Sequence, residues 1–296
     1  MDKNLLIIKH GSLGDMIRSD GIFRTIREYH KNSKIYLLTT SPYKELMLKN
    51  PSINEIIIDN RLPFFKINFY LNLRKKLNNL SFFRIYDLQN SQRTFFYRKF
   101  LLPNSNWIST KREIHPISGI QGLSDMLAKN NIPNNFALKS DLSWLANDIK
   151  NIIKAYKIPK KYILMIPGSS RKHPEKRWPF FPELINLLIK EKYSVISILG
   201  PDEIELEEKI PGIVLKNLNW GDLAGIIKNA AFIFSNDTGP IHIAACMEKR
   251  GLIFFGPTTS PAKVGLELNN FIIKNTKDLR SLKASEVIKD FKSNLG

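Results

Sequence analysis

Residues 235–245 read SNDTGPIHIAA and follow an apolar run, AAFIF, setting Asp237, Thr238, Gly239, Pro240 and His242 within six positions before the chain turns apolar again. A surface loop needs turn formers there, but it has no need of an acid and a histidine on either side of Gly-Pro. Proline is well suited to the first position of a helix, where its missing N–H costs nothing. A helix starting at that point aims free N–H groups and a partial positive charge at whatever lies above the turn, and a diphosphate is the natural guest. Phosphate would repel Asp237, which leaves it to cap the helix or to accept bonds from hydroxyl or backbone groups. His242 falls in the first turn, where a lone histidine serves packing more often than chemistry.

Two further loops carry chemistry. PGSSRKHPEKRWP, residues 167–179, gathers the small donors Gly168, Ser169 and Ser170 with the cations Arg171, Lys172, Lys176 and Arg177. Small donors and cations at the end of a strand suit a phosphate. The stretch lacks GxxxxGK[ST], so it is not the loop of a Walker-type ATPase. The other loop, KHGSLGDMIRSD over 9–20, uses Gly11 and Gly14 for a tight turn and sets Asp15 at a helix start. It is not GxGxxG, which argues against dinucleotide binding. Asp15 can be an N-cap, or a general base meeting a substrate hydroxyl over the strand ends.

The elements that must position these loops alternate. LLIIK (5–9), KIYLLTT (34–40), NEIIIDN (54–60) and FFRIYDL (82–88) read as buried strands, with helices predicted over MIRSDGIFRTIREY and 92–101. A polar, Asn-rich middle, about 130–160, has no strong strand. The alternation then restarts with YILMI (162–166), a helix at 179–192, YSVISIL, a helix at WGDLAGIIKNA, AFIFS, a helix at PIHIAACMEK, GLIFFG and a final amphipathic helix. This predicts two doubly wound α/β domains, 1–157 and 158–296, with the last helix free to pack back on the first domain. In such sheets ligands bind beyond the carboxyl ends of the strands. The three loops lie there.

The chain has 296 residues, enough for two domains, and a 43% apolar share typical of a globular protein. One cysteine permits no internal disulfide, which favours a reducing compartment. The histidines form no HExxH or Cys/His cluster, so no structural metal is expected. No apolar run approaches the length of a bilayer span, and the segment after MDKN is too short for a secretory signal; the expectation is a cytoplasmic protein. The charge is unusual. The net is +18, of which residues 1–150, with 23 basic and 12 acidic side chains, carry +11. Between 61 and 112 there are 11 basic residues, one acid (Asp87), and aromatics interleaved from Phe64 to Trp107. Such a surface favours a polyanion: nucleic acid, anionic lipid headgroups or a phosphorylated glycan. Alternatively, the aromatics turn inward and leave only a solvated basic face.

GSLGD, PGSS…EKRWP and NDTGPIHIAA…GLIFFGPTTSPAKVG, in that order, resemble glycosyltransferase family 9, the lipopolysaccharide heptosyltransferase family, and YDLQNSQRT (86–94) is similar to its strand–turn in the first domain. The resemblance implies a GT-B fold, two Rossmann-like domains facing across a cleft, the second holding an ADP-sugar and the first a lipid-linked acceptor. It implies inversion by direct displacement with no cofactor. Asp15 matches the family's base. Lys176 matches its phosphate-binding lysine, and Ser169 or Ser170 the hydroxyl before it. Asp237, Thr238, Gly239 and His242 match the donor-binding DTG…H. A ribose-binding acid falls at Glu203 or Glu205. Gly11, Ser12, Gly14, Gln89 and Arg93 fall on the acceptor side. The family's Asp-Pro after GPT reads TSP in GPTTSP, so the sequence departs from the family pattern at that donor contact. The implied partners are an ADP-sugar and an anionic glycolipid at the cytoplasmic face of the inner membrane, met by a peripheral monomer. The chain has no Asp-x-Asp, which weakens a metal-dependent sugar transferase of the other fold. Two alternatives stay open: a family member with another nucleotide sugar or acceptor, and a non-enzymatic nucleic-acid-binding protein. The latter lacks any RNP, KH or helix-turn-helix signature.

Overall fold

Short continuous apolar runs build both sheets of the computed structural model, which describes residues 3–110, 119–261 and 270–294. Parallel strands are covered on both faces, so they show unbroken apolar runs rather than alternation. In the first unit the strands are β1 (Asn4–Ile8), β2 (Lys34–Thr39), β3 (Glu55–Ile58), β4 (Arg84–Asp87) and β5 (Trp107–Ser109), all parallel in the order β3-β2-β1-β4-β5. In the second they are β6 (Ile163–Ile166), β7 (Val195–Leu199), β8 (Ile213–Lys216), β9 (Phe232–Asn236), β10 (Gly251–Phe255) and β11 (Phe271–Asn275), ordered β11-β10-β9-β6-β7-β8. The order reverses between β1 and β4 in one sheet and between β6 and β9 in the other, and those are the places where a doubly wound sheet opens a crevice for a ligand.

The chain divides into compact units 1–144 and 145–296. This is earlier than the change at 157 expected from composition, because residues just past 144 are tied to the second unit. Asn147 N–H donates to the Gly221 carbonyl at 2.9 Å and its Nδ2 to Asp222 Oδ1 at 2.8 Å. The final helix, Ala284–Ser293, also belongs to this unit. Its Val287, Ile288 and Phe291 join the core that holds Leu184 and Leu188 of the helix Phe181–Lys190, and Trp178 stacks on Phe254 at 4.2 Å within the same core. Burying Phe291 alone is worth roughly 1.5–3 kcal/mol.

Three local readings change. The first helix is two, Leu13–Arg18 and Asp20–Tyr29, separated at Ser19, whose hydroxyl donates to the Asp15 carbonyl at 2.6 Å and competes with the helix ladder. The helix after β4 runs Gln92–Phe96 and then widens into a π turn over Tyr97–Leu101. The basic, aromatic stretch contains an unforeseen helix, Ile67–Asn79. No helix among the described residues is long and apolar enough to cross a membrane.

Candidate functional site

The loop after β1 lies at the first reversal of strand order. Gly11 has φ +119°, and a Cβ there would meet the Tyr43 ring at 2.3 Å, so glycine is required twice over. His10 N–H donates to Gln89 Oε1 at 2.9 Å and ties this loop to the one after β4. Asp15 is the third residue of the helix Leu13–Arg18 and not its N-cap, which is Ser12. Its Oδ2 accepts from the Ser12 amide and hydroxyl, both at 3.2 Å, and its Oδ1 accepts from Arg18 Nη2 at 2.8 Å. The side chain remains 39% exposed. Burial pushes the carboxyl up, but the charges of Lys9 and Arg18 outweigh it and hold Asp15 below the ordinary carboxylate range. The Lys9 ammonium is buried and donates to the Leu88 carbonyl at 3.1 Å. Asp15 is therefore an ionised, reachable carboxylate whose position is set by its own helix.

Beneath this loop lies a buried network that was not legible in the sequence. His10 Nε2 stands 2.9 Å from Asp59 Oδ2, with both side chains almost fully enclosed. The Tyr97 hydroxyl also donates to Asp59. Burial raises the Asp59 carboxyl, yet these partners and the Arg61 amide bring it below its usual value. Arg93, on the expected acceptor side, spends its guanidinium on protein oxygens: Nη1 donates to the Leu62 carbonyl at 3.0 Å and Nη2 to that of Arg61 at 3.1 Å.

The second reversal brings the other two loops together. Lys176 ends a short 3-10 turn, Pro174–Lys176, and its Nζ donates to Asp237 Oδ2 at 2.8 Å. Thr259 Oγ1 donates to the same oxygen at 2.7 Å. The helix Gly239–Cys246 begins beside this pair; its N-cap Thr238 makes no side-chain cap, and Pro240 is the second helical residue rather than the first. Asp237 thus orients the lysine and does not cap the helix. Asn236 locks the β6 loop, donating from Nδ2 to the Pro167 carbonyl at 2.7 Å and accepting the Trp178 amide at 3.0 Å. Thr259 could have been suspected from GPTTSP; Asn236 and Asp59 carry no such signal.

The structure separates the paired candidates by environment. Ser169 is buried, donating to the His173 carbonyl at 2.8 Å and accepting from Arg177 Nε at 3.1 Å, whereas Ser170 is exposed. Glu203 Oε2 accepts the Gly200 amide at 2.7 Å and lies over Gly168, where a Cβ would come within 1.8 Å of its carboxyl carbon. Glu205 is exposed and paired to Arg177 at 2.7 Å. Thr238 and Gly239 are half-buried, and His242 is buried in the first turn. Among the described residues no three His, Cys, Asp or Glu side chains gather into a metal-ligand set.

Two all-parallel Rossmann-like units in one chain, each with its polar loops at the reversal of strand order, define a GT-B fold. The chain belongs to glycosyltransferase family 9 (heptosyltransferase), whose sequence model matches residues 127–288. The match covers the Lys176 and Asp237 loops and leaves the Asp15 loop outside it. A similar sequence is lipooligosaccharide heptosyltransferase 2 of Campylobacter jejuni, 26% identical over 95% of this chain and 95% of that one. Similar solved structures include the family 9 glycosyl transferase of Veillonella parvula, with a TM-score of 0.81 and 17% identity over 98% of this chain and 96% of that one. Another is the E. coli heptosyltransferase WaaC with ADP-2-deoxy-2-fluoro heptose, with a TM-score of 0.71 and 17% identity over 98% and 99% of the two chains.

Proposed function

We propose that this enzyme moves a heptose from an ADP-heptose-type donor to a lipopolysaccharide core acceptor, inverting the anomeric centre. The carrying observation is Lys176 held by Asp237 at 2.8 Å beside the uncapped tip of the helix Gly239–Cys246. A leaving ADP gains negative charge as the sugar–oxygen bond breaks. A lysine and the positive end of the helix dipole, already in place, stabilise that charge without reorganising. The relatives named for heptosyl transfer, one of them with an ADP-heptose analogue bound, support this choice of donor.

Asp15 supplies the other half of the reaction. The acceptor hydroxyl gives its proton to the Asp15 carboxylate as its oxygen attacks the anomeric carbon, and the bond to the diphosphate breaks. A positioned base of this kind contributes about 10²–10⁴-fold. Gly11, Ser12, Gly14 and Gln89 shape the acceptor side. Ser170, Thr238, Gly239, His242 and one of Glu203 or Glu205 complete the donor side. The first unit serves the acceptor and the second the nucleotide sugar. The protein works as a monomer at the cytoplasmic face of the inner membrane, in peripheral contact with an anionic glycolipid.

The test is a thermal-shift titration joined to a transfer assay. ADP is expected to raise the Tm of the wild type and of Asp15→Asn, and to lose most of that effect in Lys176→Ala. Transfer is expected to vanish in Asp15→Asn. A UDP-specific shift, or full transfer by Asp15→Asn, overturns the reading.

A further inference from the structure

The carboxyl edge of the first sheet carries a second feature besides the Asp15 loop. The chain leaves β3, runs through 61–66 and enters the helix Ile67–Asn79; it leaves β4 and enters the helix and turn spanning Gln92–Leu101. Both excursions start from strand ends on the same edge as Asp15. Phe64, Phe65, Ile67, Leu71 and Phe100 are 48, 75, 65, 56 and 49% exposed. Phe64 meets Phe96 at 4.8 Å and Phe96 meets Phe100 at 4.9 Å between ring centroids, which joins the two excursions into one apolar ridge. Ile67 and Leu71 share a helix face, continued a turn later by Arg74 and Lys75. Large side chains so exposed and so clustered mark an interaction surface.

The ridge is braced from below. Arg93 donates to the Arg61 and Leu62 carbonyls and lies over the Phe64 ring at 4.7 Å, and the Tyr70 hydroxyl bonds the Leu62 carbonyl. Its rim is basic. Lys66 lies over Phe65 at 5.6 Å, Lys99 over Phe100 at 5.3 Å, and Arg98 is exposed beside them. The one acid between 61 and 112, Asp87, is buried.

We propose that this ridge docks the enzyme on an anionic bilayer, with Phe65, Ile67 and Leu71 entering the headgroup–acyl boundary and Lys66, Arg74 and Lys75 meeting lipid phosphates. Aromatic and aliphatic side chains over a basic rim are the composition of an interfacial anchor. Aliphatic Ile67 and Leu71 offer no stacking surface to a nucleic acid. A second copy would bring one cationic rim against another. The use of the ridge rests on the glycolipid-acceptor reading, but the binding itself requires neither donor nor acceptor.

Co-sedimentation with vesicles tests it, using equal parts phosphatidylcholine and phosphatidylglycerol against phosphatidylcholine alone. The wild type is expected to sediment with the anionic vesicles. The triple variants Phe65→Ser/Ile67→Ser/Leu71→Ser and Lys66→Glu/Arg74→Glu/Lys75→Glu are each expected to bind about tenfold or more weakly. Both should keep the wild-type Tm, since every altered residue is exposed. Wild-type binding by the apolar variant overturns the proposal. So does tighter wild-type binding to a single-stranded oligonucleotide than to vesicles, or a wild-type dimer in light scattering that the apolar variant dissolves. Absence of an ADP-induced Tm shift would sink the donor reading and leave the vesicle result standing.

Discussion

Asp15 draws its acidity from opposed effects, burial pushing the carboxyl up and two neighbouring cations pulling it further down. Removing one cation should therefore raise its titration. In Arg18→Met the acid limb of kcat/KM is expected at higher pH than in the wild type; an unmoved limb would mean that another group sets it. Asp237 has a different burden. It is 6% exposed and neutralises a lysine that is itself 16% exposed. Truncating one partner of a buried pair costs about 3–5 kcal/mol. Asp237→Ala should therefore lower the unfolding free energy by about that amount in urea denaturation, whereas Asp15→Ala, exposed and paired on its own helix, should cost far less. Equal costs would show that the Lys176–Asp237 pair is not the enclosed contact described above.

At the scale of elements, the helix Asp20–Tyr29 ends on His30, whose Nε2 lies 2.8 Å from the Tyr86 hydroxyl on β4. Burial, with Arg84 and Arg27 nearby, lowers the imidazole from 6.5 to about 4. Between those values the unfolded chain binds a proton that the folded chain refuses, so acidification through this window removes stability. His30→Gln should flatten the fall in Tm between pH 6.5 and 4 relative to the wild type. An unchanged pH profile would place the sensitive group elsewhere. The strands were legible wherever they were central and apolar, as in YILMI and GLIFFG. Of the edge strands only β3, carried by the run Ile56–Ile58, was legible. Strands β5, β8 and β11 were not, because an edge strand is covered less completely and its sequence can be mixed: Ile213–Lys216 has one buried residue and Phe271–Asn275 alternates in burial. The tail helix was legible as amphipathic, but amphipathicity specifies a face without specifying what covers it; the structure sets Val287, Ile288 and Phe291 of that helix in the second unit's core.

For the whole molecule, the division at 144/145 gives the second unit its own sheet and core. A fragment spanning 145–296 is expected to melt cooperatively and to be stabilised by ADP; a fragment that never folds would show that its core is incomplete without the first unit. The net charge of +18 makes association with polyanions strongly dependent on salt.

The sequence by itself determined the class of fold, two alternations of buried strand and helix, and the loops that carry the chemistry, because apolar runs and Gly/Pro punctuation are local signals. It also supplied the family's motifs. Only the tertiary structure decided that Asp237 holds Lys176, that Ser169 turns inward while Ser170 faces out, and that His10 meets Asp59. It also divided the aromatics of 61–112 between a buried set, including Tyr86 and Tyr97, and an exposed ridge. These outcomes depend on which strands lie side by side. Residues 61 positions apart, as Lys176 and Asp237 are, become neighbours only when β6 pairs with β9, and no local pattern encodes that distance.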